Sequence, residues 1–243
     1  AEMKPKLEKL FQGWRGGDIP LKNIAPVALR TRPAVYIIDK PGSPQSVVIA
    51  GQLAPSSSDP DRIAMETMNF ILGGDFVSRL NMNIREEKHW SYGAGSFLTG
   101  ARSQQPFIAY APVQADKTRE TVEEIRKELE GMLGKKPITQ DEYGNAKKSQ
   151  TLQLPGYWET MAAVEQSLVE MVRFDLPDDY LTLYPQRVLQ LKIDDLDRAA
   201  RKVIHPESVV WVVVGDRAVI EPGIRELGLG DVFVVDSDGK PVK

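Results

Sequence analysis

The chain has 243 residues, 42% of them hydrophobic and 27% charged, with a formal net charge of −3. This is enough apolar chain for one large domain or two small ones, and the mixed signs offer no basic surface for nucleic acid. The lack of cysteine excludes disulfides, thiolate metal sites and a cysteine nucleophile, and no apolar run approaches the roughly 20 residues that a membrane span needs.

The first segment, "KPKLEKLFQGWRGG" (4–17), predicts a short amphipathic helix with Leu7, Leu10, Phe11 and Trp14 along one side and a stop at Gly16 and Gly17. The Pro-interrupted "DIPLKNIAPVALRTRP" reads as an extended strap. Residues 1–30 are therefore expected to form an interdomain linker with a short helix, and 31–243 a single domain. The opening "AEMKPKLEKLF" reads as if trimmed or excised from something longer.

Two β-branched or aromatic runs follow, "AVYIID" (34–39) and "SVVIAGQLA" (46–54), separated by the turn-rich "KPGSPQ". In "SSSDPDRIAMETMNFILGG", Asp59 suits an N-cap and Pro60 the first helical position. Ala64, Met68, Ile71 and Leu72 recur at helical spacing until Gly73 and Gly74 end the run. A second helix is predicted from about Asp75, with Val77, Leu80 and Ile84 on one face. "WSYGAGSFLTG" and "QPFIAYAPVQ" read as strands joined by "ARSQQ".

Asp116 is placed to cap a long helix carrying Val122, Ile125, Leu129, Met132 and Leu133, and Thr139 with Glu142 spells a capping box for the next. A third helix is expected near Gly156 with an apolar stripe of Met161, Val164, Leu168, Met171 and Val172. A fourth is expected behind Asp194 with Leu196, Ala199, Ala200 and Val203. "VVWVVV" (209–214) reads as a short, fully buried strand, and the tail "DVFVVDSDGKPVK" as an edge strand with a turn. Strands come in sequence pairs and do not alternate strictly with helices. The pattern predicts an α+β fold, a largely antiparallel mixed sheet with helices on one face.

Self-contained chemistry is hard to build from these residues. The two histidines, His89 and His205, fall in different predicted elements, so neither a His-x-x-x-His pair nor a three-histidine zinc site is available. There is no G-x-S-x-G, and "LGGDF" lacks the lysine and spacing of a phosphate loop. On the residues alone, Arg85 reads as an ion-pair partner of Glu86 or Glu87, and Tyr92 as a strand aromatic beside Trp90.

The stretch "FILGGDFVSRLNMNIREEKHWSYGAGSF" nevertheless resembles the insulinase/pitrilysin family of zinc metallopeptidases, through Leu72-Gly73-Gly74, Arg79-Leu80, Ile84-Arg85-Glu86 and Tyr92. The resemblance extends over roughly residues 30–216, including the Thr139-to-Glu142 helix start, Ala146-Lys147 and "VVWVVVGD". Family enzymes pair two homologous halves, on one chain or two. The first bears a His-x-x-Glu-His zinc motif, and the second lacks it and closes over the substrate. Aligned by helices, the ligand and base positions fall on Met65, Met68 and Asn69, so this chain resembles the metal-free second half.

The resemblance then implies several things. No cofactor is held by this chain, and zinc resides in a partner half, fused or separate. Arg85 and Tyr92, seven residues apart, would contact the scissile region of a peptide or unfolded protein, with Gly73 and Gly74 lining the same substrate-binding surface. The guanidinium would hold substrate carbonyls and the phenol a developing oxyanion, and an extended substrate would be recognised by strand addition. His89 and Trp90 depart from the family pattern and stay outside the site. The alternative is a non-catalytic scaffold or regulatory subunit of the same fold, although the short "LGGDF" lacks the longer glycine-rich loop of processing-peptidase regulatory subunits. A periplasmic or exported location is slightly favoured over a cytoplasmic one.

Overall fold

β-Branched and aromatic residues set the strands of the computed structural model, which describes residues 2–20 and 23–242. β1 (Ala34–Asp39), β2 (Gln45–Ala54), β3 (Gly95–Leu98), β4 (Gln105–Gln114), β5 (Val210–Gly215) and β6 (Asp231–Val235) form one six-stranded sheet in the order β3-β4-β2-β5-β1-β6. The pairs β3–β4, β4–β2 and β2–β5 are antiparallel, whereas β1 is parallel to both β5 and β6. β1 and β2, successive in the chain, do not pair with each other. β5 lies between them, a long-range insertion that local sequence does not encode.

One face of the sheet carries the core. Val35, Ile37, Val48, Ala50, Phe107, Ala109, Trp211 and Val213 are buried there. They join one cluster with side chains of α2 (Arg62–Asn69), α4 (Thr118–Glu130) and α9 (Ile193–Val203), among them Met65, Met68, Val122, Ile125, Leu129, Leu196 and Ala199. The opposite face is also apolar but open. Tyr36, Ile38, Ile49, Leu53, Val212 and Val214 are half-buried, and Val47 and Tyr110 exposed. β5 is thus buried on one side only, not on both as its unbroken valine run suggests.

α2 continues through a π turn, Phe70–Gly74, that lays its end against β3. A Cβ on Gly73 would stand 2.3 Å from the Ser96 N and 2.4 Å from its Oγ, so only glycine allows this approach. Asn69 Nδ2 donates to Ser96 O (3.1 Å) and Ser96 Oγ donates to Asn69 Oδ1 (2.7 Å), tying the helix end to the strand. The next helix, α3 (Arg79–Asn81), continues as a π turn over Met82–Glu87. It starts later than the apolar spacing suggests: Val77 is 63% exposed in the turn before it, while Leu80 and Ile84 are buried.

α5 (Gln140–Leu152) begins with the expected capping box of Thr139 and Glu142. Three other caps differ from expectation. α2 starts at Arg62 behind Asp61, so Pro60 lies in the turn before it, where Asp59 Oδ1 accepts the Asp61 N–H at 2.8 Å. α4 follows a short turn at Ala115–Lys117 in which Thr118 Oγ1 donates to Ala115 O, and the Asp116 side chain makes no cap. At α9 it is Asp195, not Asp194, that receives the Lys192 N–H at 2.7 Å.

α6 (Leu154–Tyr157), α7 (Met161–Phe174) and α8 (Tyr180–Gln190) form an outer group, and α10 (Arg217–Glu226) links β5 to β6. The apolar stripe expected on a helix from near Gly156 lies on α7, which starts at Met161 and leaves most of the stripe open. Met161 is 90% and Val172 76% exposed, and Val164 and Leu168 are exposed as well. Helical periodicity identifies an apolar face but not what covers it. α1 (Met3–Leu10) is shorter than predicted and likewise leaves Leu7 and Leu10 exposed, as are Phe11 and Trp14 beyond it. The strap between α1 and β1 is pinned at Val27, whose N–H and C=O both bond the Gln104 amide.

Gly73→Ala should lower stability by about 2 kcal/mol or more, a fall of roughly 4–8 °C in Tm. Gly74→Ala meets only the Asn69 side chain at 3.0 Å and backbone beyond 3.2 Å, so thermal melts of the two variants should show the smaller loss for Gly74.

Candidate substrate-facing site

The site residues stand on a buried cation. Arg79, 6% exposed, sends Nε to Glu142 Oε1 (2.6 Å) and one terminal nitrogen to Glu142 Oε2 (2.7 Å) and Pro137 O (3.0 Å). Its other terminal nitrogen reaches Lys136 O at 2.6 Å. A buried guanidinium persists only when its donors are met, so this fork fixes α3 against the start of α5. Burial pushes the Glu142 carboxyl up, but the hydrogen bonds from Arg79 and from the Thr139 N–H outweigh it and hold the group below the usual carboxylate range.

Two residues on, Asn81 is buried and bonds in both directions. Its Nδ2 donates to Phe76 O (2.7 Å), and its Oδ1 accepts the Ala94 N–H (3.2 Å). It thereby joins the turn before α3 to the segment entering β3. Arg85 lies between these anchors. Its side chain is 35% exposed, with the guanidinium over the Phe76 ring at 4.6 Å and Nε 3.4 Å from Glu86 Oε1. The ion pair with Glu86 is weak in water, and the Phe76 face holds the guanidinium's other side.

Beyond Glu87 the chain reverses at His89, whose φ of 57° is left-handed. The His89 N–H bonds Arg85 O and the Trp90 N–H bonds Ile84 O, closing the helix. Ser91 Oγ then lies within hydrogen-bonding reach of both Gly93 O and Pro112 O, stapling the loop to β4. Tyr92 sits at the tip of this stapled loop with its side chain 90% exposed.

Arg85 and Tyr92 therefore lie on one short, cross-tied segment, both with exposed surface. Phe76, Val77 and Met82 are exposed in the same segment. The two glycines expected beside them part company: Gly74 is exposed, whereas Gly73 is buried against Ser96. Sequence reasoning missed Phe76, Asn81 and Ser91. No local sequence signal marks these three, because their roles are tertiary contacts.

The positions aligned with a zinc motif are used otherwise. Met65 and Met68 are fully buried in the core and Asn69 bonds Ser96. His89 and His205 each lie beside a backbone carbonyl, Arg85 O and Lys202 O, both at 3.2 Å. Among the described residues no group of three or more His, Cys, Asp or Glu side chains could hold a metal ion, and these residues do not fit a zinc ion.

Comparison with known proteins agrees with this geometry. The family model "Peptidase M16 inactive domain" matches residues 1–150. The chain belongs to the M16 peptidase family, as an inactive domain. This bears out the resemblance to insulinase/pitrilysin-type enzymes. An uncharacterized zinc protease of Streptomyces coelicolor is 30% identical over 102 residues, 42% of this chain and 22% of that protein. The crystal structure of a peptidase M16 inactive domain from Pseudomonas fluorescens superposes with a TM-score of 0.73 at 26% identity, covering 81% of this chain and 46% of that one. A protease from Helicobacter pylori shares the fold at a TM-score of 0.76 and 20% identity, over 88% of this chain and 52% of that one. The chain thus spans about a fifth of the length of its curated relative and about half of these structures. No helix among the described residues is long and apolar enough to cross a membrane.

Removing the Glu142 charge should test the clamp. Glu142→Gln leaves Arg79 buried without a carboxylate and should cost about 3 kcal/mol at neutral pH. Because the folded carboxyl titrates below its unfolded value, the wild-type advantage is complete above the unfolded pKa of about 4.3 and fades as pH falls through the folded one. Urea midpoints of the two proteins should converge in acid.

Proposed function

We propose that this M16 inactive domain is the zinc-free half of a two-half zinc metalloendopeptidase. It closes the chamber over a peptide or unfolded protein and positions the chain for hydrolysis by a zinc-bearing half, fused or separate. The observation that carries this reading is the contrast within one helix–loop unit. The zinc-motif positions Met65 and Met68 are sealed in the core, while Arg85 and Tyr92 reach solvent from a cross-tied base.

The chemistry suits the assignment. Zinc in the partner half supplies the Lewis acid of peptide hydrolysis. This chain's part is hydrogen bonding: a guanidinium braced on Phe76 offers donors to substrate carbonyls, and the exposed Tyr92 phenol can donate to an oxyanion. Asn69 already occupies Ser96 O on the edge strand β3. Strand addition by substrate is therefore assigned to the zinc-bearing half, and side-chain contacts to this one.

The need for a partner half is supported by the apolar, open back of the sheet. An antiparallel sheet written for water alternates apolar and polar residues. Here Tyr36, Ile38, Val47, Ile49, Val212 and Val214 all lie on the uncovered side.

Reconstitution with the zinc-bearing half encoded with this chain tests the reading. Tyr92→Phe should lower kcat for a peptide substrate by about a hundredfold with little change in KM, as loss of an oxyanion donor does. Arg85→Ala should raise KM and lower kcat/KM. Neither should move Tm by more than about 2 °C, since both side chains reach solvent. Full activity in both variants would show a scaffold instead.

A further inference from the structure

A second concave site lies among the outer helices, built from elements that carry neither Arg85 nor Tyr92. A cavity of about 270 Å³ opens between α2, α5, α6, α7 and α8. Its walls include four aromatic rings, Tyr157, Trp158, Tyr180 and Tyr184, and two carboxylates, Glu66 and Glu170. Trp158 is held in place by Nε1 donating to Ser167 Oγ at 3.0 Å. Tyr180 is 8% exposed, and its buried hydroxyl has no hydrogen-bond partner among the described residues.

The charges do not cancel. Arg62 is the one cation lining the cavity. Its Nε is bound to Glu66 Oε1 at 2.6 Å, and a terminal nitrogen lies 3.5 Å from Glu170 Oε2. Its guanidinium also stacks over Phe174 at 5.1 Å and Tyr180 at 5.7 Å. The cation is thus committed on several sides, while two carboxylates share it and leave one negative charge over. Burial, opposed by Arg62, pushes the Glu66 carboxyl up even though a third of its side chain remains open. A second cation would relieve that cost. Burial also pushes both tyrosine hydroxyls up, keeping those walls neutral.

We propose that this cavity binds an organic ammonium on an apolar stem, with the rings enclosing the stem and Glu66 and Glu170 receiving the ammonium head. Aromatic faces attract such cations, and a partly desolvated carboxylate adds direction. The same chemistry is carried by a free small amine or by a lysine side chain of a bound peptide. The proposal is independent of the Arg85–Tyr92 reading, and neither outcome below bears on that reading.

Calorimetric titration of the 243-residue chain tests it, using 2-phenylethylammonium as the free amine and Nα-acetyl-lysine amide as the peptide side chain. At least one should bind, with 2-phenylethanol at least about tenfold weaker and 3-phenylpropionate weaker still. Whichever cation binds more tightly identifies the source. Glu170→Gln and Tyr157→Ala, at the 42% and 56% exposed positions of the rim, should each weaken the cation about fivefold or more while leaving Tm near wild type. No heat from either cation up to about 10 mM, tighter binding of the carboxylate, or unchanged affinity in both variants would overturn the proposal.

Discussion

The pairing of Arg79 with Glu142 is the constraint on which the geometry of the exposed segment depends. A guanidinium with 6% exposure in a domain of this size is costly unless every direction of its fork is met. Here the fork is met by a bidentate carboxylate and two consecutive carbonyls, Lys136 and Pro137. Glu142 is also the third residue of the α5 capping box, so one carboxylate satisfies a helix start and a buried charge together. α3 cannot slide or rotate without breaking both. Asn81 and Ile84 follow within the next turn and a half, the first bonding Phe76 and Ala94, the second buried in the core. What emerges beyond them, Arg85 and then Tyr92, is exposed but not loosely hung. A binding residue carried on a supported base in this way is placed more accurately than one on a free loop.

The end of α2 is organised by a different kind of constraint, close approach without charge. Gly73 lets the π turn touch the backbone of β3, and Asn69 exchanges two hydrogen bonds with Ser96 across the gap. Met65 and Met68 are at zero exposure, and the one buried polar residue of this helix, Thr67, bonds Ile63 O and the Gln150 side chain. A helix that could have presented charged ligands to a metal instead seals the core. On the proposed function, the substrate contacts fall to the polar segment after it.

Much of this was legible in the sequence because it is local. The β-branched runs gave β1 and β4 with their observed bounds, and the Thr139–Glu142 spacing gave the capping box. The misses are non-local or geometric. Asp116 and Asp194 are plausible caps by residue type, but a cap requires the backbone N–H two or three residues on to point at the side chain. At α9 Asp195 instead reaches back from the third helical position, its carboxylate receiving the Lys192 N–H three residues earlier. The insertion of β5 between β1 and β2 belongs to topology, and no window of sequence contains it. Arg85 and Tyr92 were singled out by resemblance. Their spacing could not reveal that Phe76 braces the arginine, because a ring 4.6 Å from a guanidinium is a tertiary fact.

The α7 stripe and the back of the sheet raise one physical question: why a chain should keep apolar surface that its own fold does not cover. Water disfavours each exposed square ångström of such surface by about 25 cal/mol. Isolated exposed side chains are ordinary, but Met161, Val164, Leu168, Val169 and Val172 form a continuous helical face. The sheet's open side likewise shows none of the polar alternation that a solvated face carries. Two such surfaces on different layers fit a domain whose sequence was shaped beside another body. The cavity of Tyr157, Trp158, Tyr180 and Tyr184 is of another kind, since its rings surround carboxylates instead of forming a plain apolar face. An apolar face is matched by another apolar face, whereas a ring of aromatics with a surplus negative charge is matched by a cation. The outer helices therefore carry two separate recognition chemistries, and only the first calls for a second protein body.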